Sequence, residues 1–284
     1  MQVGDLTIAE LAYADDFAII SQSPEDLSRA FAVFRQAAEN IGLKVNEAKT
    51  KVMHCRRGEV FQEGSEEIGG LNIERVESFT YLGSVLTPKN EIAVEVACRI
   101  RSATRAYHSL KSLLKSRLLS RRTKLRIYLT MIVPVLMYGS ETWSLTQTLA
   151  QKISSFENNI LKTICGPVFD PELDRWRRRY AREVRDLTRL PQITDLIRSA
   201  RLRWLGHVLR AEPVRLIGLV YRAEMRGRRP RGRPRTRWKD VTRQDVVAMG
   251  EDPNDMQQMA ENRRGWRRLV VAAKGLNRPI APAE

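Results

Sequence analysis

Within Leu11-Ala12-Tyr13-Ala14-Asp15-Asp16-Phe17-Ala18-Ile19-Ile20, two adjacent carboxylates lie between two short apolar runs. Residues Leu6 to Tyr13 and Phe17 to Ile20 read as strands joined by a tight polar connection, which predicts a β-hairpin with Asp15 and Asp16 at its tip. Adjacent carboxylates repel, and burying either is costly without a cation. A divalent metal with oxygen ligands is the natural partner. Mg²⁺ commonly takes one or two carboxylates and completes its shell with substrate phosphates. A bare Asp-Asp pair would more often be a solvated turn. The full Tyr-Ala-Asp-Asp string between apolar strands is far more specific.

That string resembles the catalytic hairpin of reverse transcriptases, in which a Tyr-x-Asp-Asp turn carries metal-binding carboxylates into the palm. The chain downstream supports the resemblance. Ser23 is a fitting N-cap and Pro24 suits the first helical position. Leu27, Phe31, Phe34, Ala38 and Ile41 then repeat at helical spacing until Gly42 closes the helix. Gly42-Leu43-Lys44-Val45-Asn46-Glu47-Ala48-Lys49-Thr50 follows, with a short strand through Met53. Its Gly-Leu-x-x-Asn-x-x-Lys-Thr pattern resembles one that follows the catalytic hairpin in reverse transcriptases of non-LTR retrotransposons. The resemblance implies that Lys49 lies near the incoming nucleotide and neutralises or protonates the leaving pyrophosphate, with Tyr13, Ala14 and Asn46 close by. Read alone, the stretch is a capped turn with a solvated lysine.

Residues 56–70 are polar and rich in Gly and Glu, as in a loop or weak hairpin. Leu71 to Val76 alternates like a half-buried strand. Phe79-Thr80-Tyr81-Leu82-Gly83 resembles the string that closes the palm in these polymerases. There a hairpin presses on the primer backbone, which puts Tyr81, Leu82 and Gly83 near the primer. An edge hairpin packing its aromatics into a core is the plainer reading, and both can hold.

After Pro88 the pattern turns helical. Val94, Ile100, Tyr107, Leu110, Leu114 and Leu118 form one stripe over 91–119. A second helix is expected over 121–138, kinked or ended by Pro134. A third is expected over 146–164, stopped by Gly166-Pro167. Helices with basic outer faces and short connections read as a bundle, which after a palm corresponds to the thumb that grips the duplex.

The chain is strongly basic: 49 Lys and Arg against 33 Asp and Glu give +16 over 284 residues. Between Arg175 and Asp245 alone, 21 Arg and 1 Lys face 7 acidic residues. Such an excess usually neutralises a polyanion, and Arg favours bidentate phosphate contact. Candidate nucleic-acid contacts are Arg177, Arg178, Arg179, Arg201, Arg203, Arg228, Arg229, Arg231, Arg233, Arg235 and Arg237. Ile193, Ile197, Trp204 and Val208 are expected to share one helix face. The Gly/Arg/Pro run over 226–237 excludes a helix and reads as extended. His207, beside Trp204, reads more plainly as a packing or phosphate-contacting residue than as a metal ligand. Leu-Arg-Trp-Leu-Gly-His, Gly-Arg-Pro-x-x-Arg-Trp and Trp-Arg-x-Leu strings occur in this order in the C-terminal regions of many non-LTR elements.

The expected fold is therefore α+β. A partial polymerase palm over 1–88 holds the catalytic hairpin, a helix and a primer-grip-like hairpin. A helical thumb over 89–166 and a basic, mostly helical nucleic-acid-binding region over 167–284 follow. The resemblance implies RNA-directed DNA polymerisation: two Mg²⁺ or Mn²⁺ ions held by Asp15, Asp16 and a third aspartate on an earlier strand. Template RNA, primer or target DNA and deoxynucleoside triphosphates are the implied partners. The third aspartate, the fingers and an N-terminal endonuclease are not among these residues, so the polypeptide alone is expected to be inactive or weakly active. A non-catalytic nucleic-acid-binding module is the alternative, and a membrane-surface protein a weaker one. The odd, widely spaced Cys55, Cys98 and Cys165 argue against a disulfide framework and a Cys/His nuclease. With neither a signal peptide nor a transmembrane run, the expected location is intracellular, in nucleus or cytoplasm.

Overall fold

Strands in this chain run from two to five residues, too short to build one broad sheet, so pairing is local. The computed structural model describes residues 2–3, 6–55, 61–223 and 236–275. It is a mixed α+β structure in two units. One comprises 1–91 with 213–230, the other 92–212 with 231–284.

In the first unit, β1 (Gln2–Val3) pairs with β2 (Leu6–Thr7), and β3 (Glu10–Tyr13) pairs antiparallel with β4 (Asp16–Ile19). The strand expected over Leu6–Tyr13 is thus interrupted at Ile8 and Ala9. Helix α1 (Pro24–Asn40) begins where expected, with the Ser23 hydroxyl accepting from the Asp26 N–H at 3.1 Å. It ends in a reversal at Gly42, φ +80°, where the Leu43 N–H reaches back to the Ala38 carbonyl, as a Schellman motif requires. Ile41 falls at the C-cap and is 73% exposed, so it lies off the buried stripe.

Strands β5 (Lys51–Val52), β6 (Gly64–Ile68) and β7 (Leu71–Arg75) form a sheet in the order β5-β7-β6, with β5 parallel to β7. The Gly-rich stretch is therefore a true hairpin from Gly64 onward; residues 56–60 lie outside those described. Helix α1 packs directly on its turn. A Cβ at Gly69 would lie 2.9 Å from Phe31 Cδ1, and the Gly69 N–H donates to the Ser28 hydroxyl at 2.9 Å. Phe31, Val52, Ile68 and Ile73 form the small core, flanked by Ile19, Leu27, Val45 and Leu71. Strands β8 (Phe79–Tyr81) and β9 (Ser84–Leu86) close the segment as an isolated hairpin.

The second unit contains α2 (Ile92–Lys115) and α3 (Arg121–Ile127), then a π-helical turn over Tyr128–Ile132 and α4 (Val133–Met137). Pro134 does not end the helix. The π turn just before it, with the Val133 N–H reaching the Tyr128 carbonyl, lets the coil continue past a residue that has no N–H to give. Leu118, expected inward, lies beyond the end of α2 and is 96% exposed.

Helix α5 (Gln147–Cys165) leads to the hairpin of β10 (Val168–Asp170) and β11 (Arg175–Arg177), then α6 (Ala181–Thr188) and α7 (Ile193–Leu209). Helix α8 (Leu216–Arg222) groups with the first unit. Helices α9 (Trp238–Ala248), α10 (Met256–Glu261) and α11 (Arg263–Ala272) return to the second.

The large core takes Val96 and Leu114 from α2, Tyr128 and Ile132 from the π turn, and Leu136 from α4. Ile153, Ile160 and Leu161 of α5 join Val184 of α6 and Ile193 and Ile197 of α7. It thus draws residues from both sides of position 166. Helix α7 is buried on more than one side. Trp204, expected to share a face with Ile193, Ile197 and Val208, is instead 37% exposed while those three are buried, and it stacks on His207 with ring centroids 5.1 Å apart.

Candidate functional site

The hairpin of β3 and β4 delivers what the sequence predicts for its apex. Tyr13 pairs with Asp16 across the ribbon, leaving Ala14 and Asp15 as a two-residue connection. Ala14 has φ +52°. A positive φ at the first loop position suits the twist of a two-residue hairpin, and a non-glycine residue held there carries local strain. Tyr13 is 66% exposed, and Asp15 and Asp16 are both exposed. The ribbon is anchored from behind by Phe17, whose ring lies 4.7 Å from that of Phe34 on α1, and by Ile19 against the small core. The two carboxylates thus project from a ribbon that is fixed at its base, and no cation pairs with either among the described residues.

Mg²⁺ or Mn²⁺ would meet hard oxygen donors here. The described residues contain no cluster of three or more His, Cys, Asp or Glu able to enclose an ion. Asp15 and Asp16 therefore fit an ion that draws its remaining ligands from phosphate and water, and they do not form a closed protein cage.

Asn46 has a clear local duty. Its side-chain oxygen accepts from the Lys49 N–H at 3.1 Å, and its carbonyl accepts from the Thr50 hydroxyl at 2.8 Å. This side-chain-capped turn presents Lys49, exposed, just before β5. Val45 and Val52 on either side of the turn belong to the core that also holds Ile19. Hairpin and lysine turn are therefore mounted on one nucleus. Tyr81, Leu82 and Gly83 sit at the β8–β9 turn, where Leu82 (φ +46°) and Gly83 (φ +80°) both take the left-handed conformation of a type I′ turn.

The arginines divide sharply. Arg201, expected at a nucleic-acid surface, is buried. Its guanidinium forms a two-pronged pair with Asp245 of α9, at 2.6 and 3.0 Å, and donates to the Trp143 carbonyl at 2.9 Å. It is a core cation and cannot reach a phosphate. Arg177 is likewise committed. It bonds Asp170 at 2.6 Å and Glu183 at 2.7 Å, and lies 4.3 Å from the Tyr180 ring centroid. These bonds, with the Tyr180 N–H, hold the Glu183 carboxyl down at about 2. Arg178, Arg203 and Arg237 are exposed and Arg179 half-buried. Arg228, Arg229, Arg231, Arg233 and Arg235 lie outside the described residues.

The acidic partners Asp170, Glu183 and Asp245 were not singled out from sequence. Nor were two tryptophan contacts made by the C-terminal strings. The Trp266 indole N–H donates to the Leu202 carbonyl at 2.9 Å, and that of Trp238 to the Glu141 carbonyl at 2.7 Å. Two clefts lie in the second unit. One of about 600 Å³ is lined by Arg121, Arg122, Arg126 and leucines, and one of about 250 Å³ by Tyr107, His108, Phe156 and Arg178.

Residues 5–86, from just ahead of the Asp15–Asp16 hairpin through β9, match the family model described as reverse transcriptase (RNA-dependent DNA polymerase). This segment is similar to reverse transcriptases. An uncharacterized transposon-derived protein of Caenorhabditis elegans is 24% identical over 278 residues, covering 95% of this chain and 98% of the relative. The expected resemblance to a retrotransposon reverse transcriptase is thus borne out. No solved structure matches the chain. Among the described residues no helix is long and apolar enough to cross a membrane.

Proposed function

We propose that this chain carries the carboxyl-terminal part of an RNA-directed DNA polymerase of the non-LTR retrotransposon type. In this reading 1–88 is a partial palm, 89–166 a thumb-like bundle and 167–284 a basic nucleic-acid-binding region. The observation that carries it is the apex of the β3–β4 ribbon, with two uncompensated carboxylates beside a strained Ala14, inside the segment similar to reverse transcriptases. Divalent ions bound there would stabilise the attacking and leaving oxygens of an in-line phosphoryl transfer. Asp15 and Asp16 would hold them. Lys49, on its Asn46-capped turn, would offer positive charge to the departing pyrophosphate. Tyr13 and the β8–β9 turn would border the primer, and template RNA, primer DNA and deoxynucleoside triphosphates would be the partners.

Two carboxylates are fewer than a two-ion site requires. The 284-residue polypeptide is therefore expected to extend a primer on a homopolymer template with Mg²⁺ only weakly or not at all. Vigorous synthesis that disappears in Asp15→Ala would overturn that expectation while upholding the assignment of the hairpin.

A second reading, a nucleic-acid-binding module that needs no metal, is favoured by the exposed Arg178, Arg203 and Arg237 of the second unit. It predicts salt-sensitive binding that survives Asp15→Ala. Binding that vanishes with Asp15→Ala would reject it.

A further inference from the structure

The β10–β11 hairpin is built with two unlike faces. Its register pairs Phe169 with Trp176 and Val168 with Arg177. Alternation along a strand therefore puts the aromatic pair on one side and Val168, Asp170 and Arg177 on the other. The second side is tied down: Arg177 clamps Asp170 within the hairpin and Glu183 on α6, and Tyr180 lies over the guanidinium. The first side is open. Trp176 is 69% exposed and Phe169 44%, with ring centroids 5.7 Å apart in an edge-to-face arrangement.

A two-stranded ribbon gains little stability from large aromatics left in water, since their value lies in buried area. Here a three-residue ionic network fixes the ribbon so that the aromatics are held outward. The charge beside them is positive at the ribbon's base, where Arg178 and Arg182 are exposed. Glu172 and Asp174 occupy the far tip, so a polyanion would approach from the base. On that side Arg178 also lines the cleft of about 250 Å³ with Tyr107, His108 and Phe156.

We infer that the Phe169–Trp176 face is a stacking platform for unpaired bases of a single-stranded polynucleotide, with the arginines at the ribbon base contacting its phosphates. Exposed π-faces beside a cationic track are what sequence-tolerant single-strand recognition requires, because every base has a face to stack. Duplex bases are stacked on each other and cannot use the platform. The inference rests on the reading that the chain holds nucleic acid, but not on the polymerase reading.

The test uses the full chain and four 20-nucleotide probes: oligo-dT, oligo-U, an abasic strand of equal charge, and a duplex. Trp176→Ala is expected to weaken oligo-dT and oligo-U binding by about ten-fold, the size of one lost base–aromatic stack. Abasic and duplex binding should stay within about two-fold, and Trp176→Phe should restore most of the loss. Comparison of oligo-dT with oligo-U shows whether DNA or RNA is the better occupant. The inference is overturned if Trp176→Ala leaves oligo-dT and oligo-U binding unchanged, or weakens all four probes alike. Absence of binding to every probe by the unaltered chain would reject the nucleic-acid reading as well. The wild-type measurement thus separates the two failures. Trp176 is largely exposed and buries little on folding, and an unchanged circular dichroism melt confirms that the variant is folded.

Discussion

The indole of Trp266 fills the space directly above Gly206, where an added Cβ would lie 2.2 Å from the indole nitrogen and 2.5 Å from Cδ1. Two strings sixty residues apart in the chain, one with a glycine after Trp-Leu and one opening on Trp-Arg, are thereby halves of one contact. The glycine is needed for approach and the tryptophan for filling. Gly206→Ala should destabilise the second unit by about 1–3 kcal/mol through overpacking. Urea denaturation measures this, and an unchanged midpoint would mean that α11 does not sit on α7 as described.

Arg201 and Arg203 are two residues apart on α7 and should behave oppositely. Arg201→Gln breaks a buried two-pronged pair and leaves Asp245 only the longer contact to Arg198 at 3.5 Å, which should lower stability by about 3 kcal/mol. Arg203 is exposed, so Arg203→Gln should leave stability within about 0.5 kcal/mol. If Arg203 contacts a phosphate, its loss should reduce the slope of log affinity against log salt by about 0.7–0.9. Denaturation curves and salt titrations on both variants distinguish a core cation from a surface one.

Glu183 gives the β10–β11 ribbon a pH dependence of known sign. Its folded value, about 2, lies below its ordinary 4.5, chiefly because Arg177 and the Tyr180 N–H bond the carboxylate. A depressed carboxyl contributes stability that is fully present above about 4.5 and is lost as pH falls from there through about 2. Asp170, lowered mainly by its bond to Arg177, acts in the same direction. Near-ultraviolet circular dichroism should therefore show the Phe169–Trp176 signal fading over that acid range. Glu183→Gln should already show a weakened signal at neutral pH and a flatter acid titration.

Removing either carboxylate of the first hairpin should cost almost no stability, because both are exposed and unpaired among the described residues. Asp15→Ala and Asp16→Ala should each melt within about 0.5 kcal/mol of wild type. Mn²⁺-induced water-proton relaxation should detect weak binding to wild type that both variants lose. Equal relaxation in all three proteins would place Mn²⁺ elsewhere.

Replacing Ala14 by Gly should relieve the left-handed conformation at the hairpin turn and stabilise the first unit by about 0.5–1 kcal/mol. A loss of stability would mean that the turn does not require a positive φ.

How much of this was legible in the sequence depends on the range of each interaction. The Asp15–Asp16 ribbon, the Ser23 cap, the Gly42 reversal and the Asn46 turn are local, and a few residues specify each. The reverse-transcriptase resemblance rests on these same strings, which explains why it survived comparison. The carboxylate partners of Arg201 and Arg177 were not legible, because composition shows that a cation exists but not where its counter-ion lies. Asp245 is 44 residues from Arg201, and only folding brings them together. Trp204 and Ile41 kept helical spacing yet face water, because the neighbouring elements cover other sides of their helices. Pro134 signalled a break in regular α-helix, but not that a π turn just before it would accommodate the missing N–H.

The seating of Trp266 over Gly206 has a consequence for genetic decay. A frameshift or stop codon anywhere ahead of position 266 would strip the lid from α7, leaving its backbone at Gly206 bare and the Leu202 carbonyl without its donor. Copies of such a gene truncated only modestly at the 3′ end would therefore yield a product whose second unit is less stable, even with every residue of the Asp15–Asp16 hairpin in place.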